Sequence, residues 1–166
     1  MQLSSRTIVA AAVLAVVGAA ALQAQGTNAN FTGTWTLDVL NSQVGDNGPS
    51  AATYTIAQHG DTLTMDRETT SAMMGTIKSH LVQGIDGRVW KNTVSAGGES
   101  IELSSTASWA HDTLSARSSG SAQGTDFTEE DRMIMAPDGK SFTMVRAVSA
   151  GGQDFPSMTM VFVKKP

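Results

Sequence analysis

The chain contains no cysteine among its 166 residues. This absence excludes disulfide bonds, cysteine-ligated metal centres, thiol nucleophiles and a lipid anchor attached to a processed thiol. The fold is therefore expected to be held together by burial, without disulfide cross-links.

Aromatic residues are scarce, at 5% with one tyrosine, and the 11 basic residues are outnumbered by 15 acidic ones. An acidic chain without a basic stripe is a poor candidate for binding nucleic acid. The shortage of aromatics also argues against an outer-membrane barrel, whose lipid-facing band is bordered by aromatic girdles. We expect no nucleic-acid partner and no integral membrane insertion of the mature chain, and the sequence leaves the oligomeric state open.

An uncharged run rich in alanine, valine and leucine extends from Thr7 to Leu22, after the single basic residue Arg6. This pattern predicts a secretory signal peptide at residues 1–24, cleaved after Ala24 or, alternatively, after Ala21. A membrane anchor is the other interpretation, but the run is short and no basic stop-transfer cluster follows it. We expect a secreted or periplasmic protein with a flexible N-terminus at residues 25–29 and one domain at 30–166. Export without disulfides favours a bacterial source.

The domain opens with a β-strand pattern. Trp35, Leu37 and Val39 alternate with polar residues, which predicts a strand with one face toward a core and the other toward water. Gly33, two positions before the tryptophan, allows a close approach of a neighbouring strand.

Further alternating segments, separated by glycine and aspartate turns, continue to the C-terminus, and no helical period persists. A soluble sheet of about ten strands would leave two unpaired edges unless it closed. The sequence therefore predicts an all-β fold, a single up-and-down antiparallel barrel of about eight to ten strands. After the first strand, the strands are expected near residues 52–58, 61–69, 75–82, 87–95, 99–108, 112–119, 126–136, 140–149 and 157–164.

Phe31-Thr32-Gly33-Thr34-Trp35, followed by this meander, resembles the lipocalin and fatty-acid-binding-protein (calycin) superfamily, in particular its bacterial secreted lipocalin-like members. The resemblance implies that Gly33 and Trp35 form a barrel-floor motif and that a basic residue of a late strand packs across the indole. Arg146 is the first candidate for that residue, and Lys164 is the second. Fatty-acid-binding relatives hold a carboxylate with an arginine and a tyrosine on the last strand, where this chain has Met160 and Phe162.

Strand parity predicts charges on the inner wall, because Arg67, Glu129, Asp131 and Arg146 alternate in phase with core residues. They could orient a ligand's polar group in an apolar cavity, or they could pair with one another in a network near the strand ends. We favour the second interpretation, because buried unpaired charge is costly. The full set of predicted ligand-binding residues is Trp35, Tyr54, Met65, Arg67, Glu129, Asp131, Met133, Met135, Met144, Arg146, Met160 and Phe162.

Neither a metal nor a cofactor is expected. His59, His80 and His111 lack the short spacing of metal motifs, so they are predicted to be solvated. No nucleophile elbow or phosphate-cradling glycine loop is present, so no catalytic residue is assigned.

The sequence favours a non-catalytic exported protein that binds a small apolar or amphipathic ligand in the barrel interior. One alternative is a protein-interaction or inhibitor-like barrel with a filled core. Another is a cyclase- or isomerase-type enzyme that uses Glu129 or Asp131 with a shifted pKa.

Overall fold

The structure is a computed structural model that describes residues 28–72, 74–96 and 99–166. The segment predicted to be a signal peptide lies outside these residues. Apart from one turn of 3₁₀-helix at Val39–Asn41, the regular secondary structure described is β. The strands are β1 (Gly33–Leu37), β2 (Pro49–His59), β3 (Thr62–Ser71), β4 (Gly75–Gly84), β5 (Trp90–Ala96), β6 (Glu99–Ala110), β7 (Thr113–Ala122), β8 (Thr125–Met135), β9 (Ser141–Ala150), β10 (Gln153–Asp154) and β11 (Met158–Lys164).

The strands pair antiparallel in the order β4-β3-β2-β1-β11-β9-β8-β7-β6-β5, and the short β10 adds to β9. Because β11 returns beside β1, the sheet curls into a nearly closed barrel. The predicted all-β, up-and-down antiparallel barrel is therefore confirmed. The structure has eleven strands because the two-residue β10 interrupts the connection between β9 and β11.

The barrel closes where β4 lies beside β5, and within the described residues no backbone ladder joins these two strands. Asn92 on β5 occupies this position. Its side-chain oxygen accepts the Val82 N–H at 2.7 Å, and its side-chain nitrogen donates to the Val82 carbonyl at 3.0 Å. An asparagine amide offers the same donor and acceptor as a peptide group, so one side chain replaces a backbone pair. We call this junction the β4–β5 seam.

Strand β1 ends earlier than the alternating pattern predicts. Trp35 and Leu37 face the core as expected, but the prediction that Val39 continues their face was wrong, because Val39 is exposed. The Asp38 carboxylate accepts the Asn41 N–H at 3.3 Å and thereby caps the 3₁₀ turn. This local side-chain bond competes with the sheet ladder and ends the strand.

Strand β5 begins at Trp90, three residues later than the pattern predicts. Before it, the Asp86 carboxylate accepts the Arg88 N–H at 3.1 Å, which holds the segment in a turn. The Gly87 N–H donates to the Ala107 carbonyl at 2.8 Å, so this turn is tied to β6 and not to β4.

Side chains pack the barrel interior in two clusters. The larger cluster occupies the end near the β2–β3 turn and contains Trp35 with most of the buried aromatic residues. The smaller cluster contains Leu81, Ile101 and Leu103, with Phe127 packed against them. In the described part of the chain, no helix has the length and hydrophobicity needed to cross a bilayer.

Candidate functional site

Trp35 fills the end of the interior near the β2–β3 turn, which we call the barrel floor. Its indole N–H donates to the Phe31 carbonyl at 2.7 Å, and its ring meets Phe142 edge-on with a centroid separation of 4.9 Å. The side chain is completely buried. Because its one polar group is satisfied, the indole acts as an apolar plug.

The cation over the Trp35 ring is Lys164, whose Nζ lies 5.2 Å from the ring centroid. The register between β1 and β11 places Trp35 opposite Lys164. The prediction that Arg146 packs across the indole was therefore wrong, because the guanidinium of Arg146 is bound by Asp131. At Gly33, φ is +146° and an added Cβ would lie 2.6 Å from Lys164 Cε, so glycine provides the space for the lysine stem.

Four charged side chains meet inside the barrel: Arg67 on β3, Glu129 and Asp131 on β8, and Arg146 on β9. Arg146 holds Asp131 with two parallel bonds, Nε to Oδ1 and Nη2 to Oδ2, both 2.7 Å. Arg67 Nη1 lies 2.8 Å from Glu129 Oε1, and Arg146 Nη2 lies 3.2 Å from the same oxygen. We call this group the interior charge quartet. Its two positive and two negative charges cancel.

The structure places the quartet inside the barrel, as strand parity predicted, and its members pair with one another. The expectation that they lie near the strand ends was wrong, because each occupies the middle of its strand. Their side chains are between 10% and 22% exposed. Register explains the pairing, since Asp131 lies directly opposite Arg146 on the neighbouring strand.

Burial and charge pairing compete in setting the pKa values of the quartet. Burial acts to raise the pKa of Glu129, but the positive charges of Arg146 and Arg67 outweigh it and lower this pKa to about 2. Burial raises the pKa of Asp131, and the charge of Glu129 adds to the rise against the attraction of Arg146. Burial acts to lower the pKa of each arginine, but the facing carboxylates raise it overall. Asp131 is therefore the carboxylate that takes up a proton first on acidification.

An enclosed cavity of about 10 Å³ lies beside the quartet. This is room for about one water molecule. Charged and apolar side chains both line it, so the lining is amphipathic. The lining residues are Leu63, Met65, Arg67, Leu81, Gln83, Leu114, Ala116, Ser118, Glu129, Asp131 and Met133.

Larger recesses lie on the outer wall of the barrel. An open groove of about 440 Å³ follows β2 to β5, and another of about 540 Å³ follows β5 to β9. Most of their lining side chains are polar and face outward, such as Asp66, Lys78 and Glu102, and the first groove also reaches the inward-facing Arg67 and Val94. Both grooves are open to solvent, so they are poor candidates for burying an apolar ligand.

The remaining residues predicted to line the interior also point inward. Their contact with a ligand stays a prediction. Tyr54, Met65, Met133, Met144, Met160 and Phe162 are buried, and Met135 is half-buried against the same core.

Sequence reasoning missed Gln83 and Asn92. Gln83 shares the strand parity of Leu81, so its inward direction was readable from the alternation. No sequence pattern around Asn92 predicts its role, because that role depends on β4 and β5 lying side by side without backbone hydrogen bonds.

The structure places the three histidines on the outside. His80 Nδ1 lies 2.6 Å from Asp66 Oδ1 on the outer wall, and His59 and His111 are exposed near turns. Among residues 28–72, 74–96 and 99–166, no group of three or more His, Asp or Glu side chains is placed to hold a metal ion. Glu129 and Asp131 are both engaged by arginines, so neither is an isolated general base.

The topology and the plugged floor define the class of fold: this is a calycin-like β-barrel. Among solved structures, the chain is similar to a secretary abundant heat soluble (SAHS) protein from Ramazzottius varieornatus. The TM-score is 0.53 at 10% identity, covering 84% of this chain and 98% of that chain. It is also similar to a Schistosoma mansoni fatty acid binding protein in complex with arachidonic acid, with a TM-score of 0.48 at 15% identity over 82% of this chain and 96% of that chain. No protein-family model and no curated protein matches the sequence.

Proposed function

We propose that the protein is an exported, non-catalytic barrel that binds a small apolar or amphipathic molecule in its interior. The observation that carries the proposal is the amphipathic lining of the enclosed cavity, which Arg67, Glu129 and Asp131 of the quartet share with Met65 and Met133. A barrel that needed only a stable core could bury apolar side chains there, because a buried ion pair is often no more stabilising than hydrophobic residues of similar volume. Polar groups converging on an apolar site are typical of ligand pockets.

The methionines provide the means to make room. A cavity of about 10 Å³ is too small for an organic ligand, so binding requires neighbouring side chains to change rotamer. Methionine is unbranched, with three rotatable bonds and a polarizable sulfur, so it repacks around irregular apolar shapes at low cost. Met65 and Met133 line the cavity, and Met144 lies opposite Met133 on β9. Export is supported by the apolar run at residues 7–22 and its flanking pattern.

The first test is native mass spectrometry of the protein purified from its own host, with organic extraction of retained molecules, followed by titration with the neutral dye Nile red. Ala116→Leu fills the cavity from β7, whereas Ala147→Leu adds the same atoms to the outer wall of β9. We expect a defined small molecule in the native protein. Nile red should bind the wild type and Ala147→Leu and should bind Ala116→Leu at least about tenfold more weakly.

Circular dichroism establishes that both variants keep the β-fold. Equal Nile red binding by the two variants would place the dye outside the barrel. The absence of any retained molecule, together with no dye binding, would refute ligand binding altogether.

A second candidate is a protein-interaction barrel with a filled core, which the small size of the cavity favours. Ile134, Val145 and Val163 expose 43%, 36% and 40% of their surfaces on the outer wall of β8, β9 and β11. If Asp substitutions at Val145 and Val163 abolish capture of a defined protein in the host, while the barrel binds no small molecule, this function replaces the first.

A further inference from the structure

Gln83 differs from the other polar side chains that line the interior cavity. Arg67, Glu129 and Asp131 are paired within the quartet, and Ser118 shares a hydrogen bond of 3.0 Å with Ser105. Gln83 is 5% exposed, yet its side-chain amide makes no hydrogen bond with any described residue. Gln83 lines the cavity, so its amide donors and acceptor are available to a partner that the protein alone does not supply.

The charge balance restricts what that partner can be. Both arginines already face carboxylates at 2.7 to 3.2 Å, and the quartet has no net charge. A ligand carboxylate entering the cavity would lie beside Glu129 and Asp131 and would have to displace one of them from its arginine. It would also lose its hydration, and no surplus positive charge offsets that loss.

An uncharged polar group meets no such opposition. The Gln83 amide carries two N–H donors and a carbonyl acceptor, so it can satisfy a hydroxyl, an amide or an ester carbonyl. The adjacent Leu63, Leu81 and Leu114 provide apolar surface for the hydrocarbon part of such a molecule.

On the basis of the proposed function, we infer that the interior ligand is a neutral amphiphile whose uncharged head group hydrogen-bonds to the Gln83 amide, and that free carboxylates are disfavoured. This assigns both a recognition residue and a ligand class to the cavity. It also separates this barrel from one that holds an anionic head group on an unpaired arginine.

The test is calorimetric titration of the mature chain with dodecanol, dodecanoate and dodecylamine, which share one hydrocarbon chain and differ in head-group charge. Wild type should bind dodecanol at least about tenfold more tightly than either charged compound. Gln83→Leu should weaken dodecanol binding by about tenfold, the loss expected for one buried hydrogen bond. The control Gln153→Leu, at an exposed position in β10, should leave all three affinities unchanged.

The outcomes separate this inference from the function on which it rests. If none of the three compounds binds, the proposed function fails. If dodecanoate or dodecylamine binds as tightly as dodecanol, or if Gln83→Leu binds dodecanol like the wild type, the neutral-ligand inference is overturned while an interior binding site stands.

Discussion

Replacing Glu129 with glutamine removes one charge from the interior quartet and preserves the side-chain shape. The pKa of Glu129 is lowered from 4.5 to about 2 in the folded protein. At about 1.4 kcal/mol per pKa unit, this shift corresponds to about 3 kcal/mol of stability at neutral pH. Removing the Glu129 charge also removes a repulsion that raises the pKa of Asp131. This relief stabilises the variant and offsets part of the lost free energy of unfolding. We expect a net loss of about 2 kcal/mol for Glu129→Gln at pH 7.

The pH dependence follows from the sign of the shift. A carboxylate whose pKa is lower in the folded than in the unfolded state stabilises the fold above the unfolded pKa. That contribution is lost as the pH falls from 4.5 toward about 2. The stability difference between wild type and Glu129→Gln should therefore be largest at pH 7 and should shrink steadily through this range.

Urea denaturation followed by tryptophan fluorescence measures both quantities. The matched control is Glu130→Gln, because Glu130 is next in sequence, faces outward, is 42% exposed and pairs with the surface residue Arg117. The free energy of unfolding of Glu130→Gln should lie within about 0.5 kcal/mol of the wild-type value. If Glu129→Gln is as stable as the control at pH 7, or if its deficit does not shrink on acidification, the assignment of a buried, charge-stabilised Glu129 is wrong.

Three further predictions concern the floor and the seam. Gly33→Ala should lower the free energy of unfolding in urea by about 1 to 3 kcal/mol, because a φ of +146° strains any residue with a Cβ and the flexible Lys164 stem would have to move aside. Wild-type stability of this variant would contradict the prediction. Lys164→Met keeps the aliphatic stem but removes the charge over Trp35, so the free energy of unfolding should fall by about 0.5 to 1 kcal/mol. If the same substitution has no effect in the Trp35→Leu background, the contact between the two side chains is confirmed. Asn92→Ala should lower the free energy of unfolding by about 2 to 3 kcal/mol and accelerate amide hydrogen exchange at Val82, because both bonds to Val82 are lost. Unchanged protection of the Val82 amide would show that the β4–β5 seam does not depend on Asn92.

Local patterns were sufficient to predict the barrel and its inner wall. Side chains alternate with a period of two along any strand, so the direction of Arg67 or Glu129 follows from neighbours such as Met65 and Met133. The topology followed from the turn residues, because Asp-Gly and Gly-Asp pairs at short spacing predict hairpins and a meander.

Properties that depend on how distant strands align could not be predicted in the same way. Which cation covers Trp35 depends on the register between β1 and β11, which places Lys164 there and leaves Arg146 to Asp131. A slip of two residues between β1 and β11 would preserve every alternation pattern and place Phe162 opposite Trp35 in place of Lys164. The early end of β1 had a different cause. The Asp38 carboxylate accepts the Asn41 N–H, and this local bond, which competes with strand pairing, leaves no trace in the alternation of polar and apolar residues.

Methionine-methyl NMR reports ligand binding inside the barrel at the residues that line the cavity. The protein is labelled with ¹³C-methyl methionine and titrated separately with dodecanol and dodecanoate. Met65 and Met133 line the interior cavity, whereas Met74 is 66% exposed in the β3–β4 turn and serves as the internal control. If ligands bind inside the barrel, at least one of the two shifts the Met65 and Met133 methyl signals with saturation and leaves the Met74 signal unchanged. Shifts confined to Met74, or no saturable shift with either ligand, would contradict binding inside the barrel.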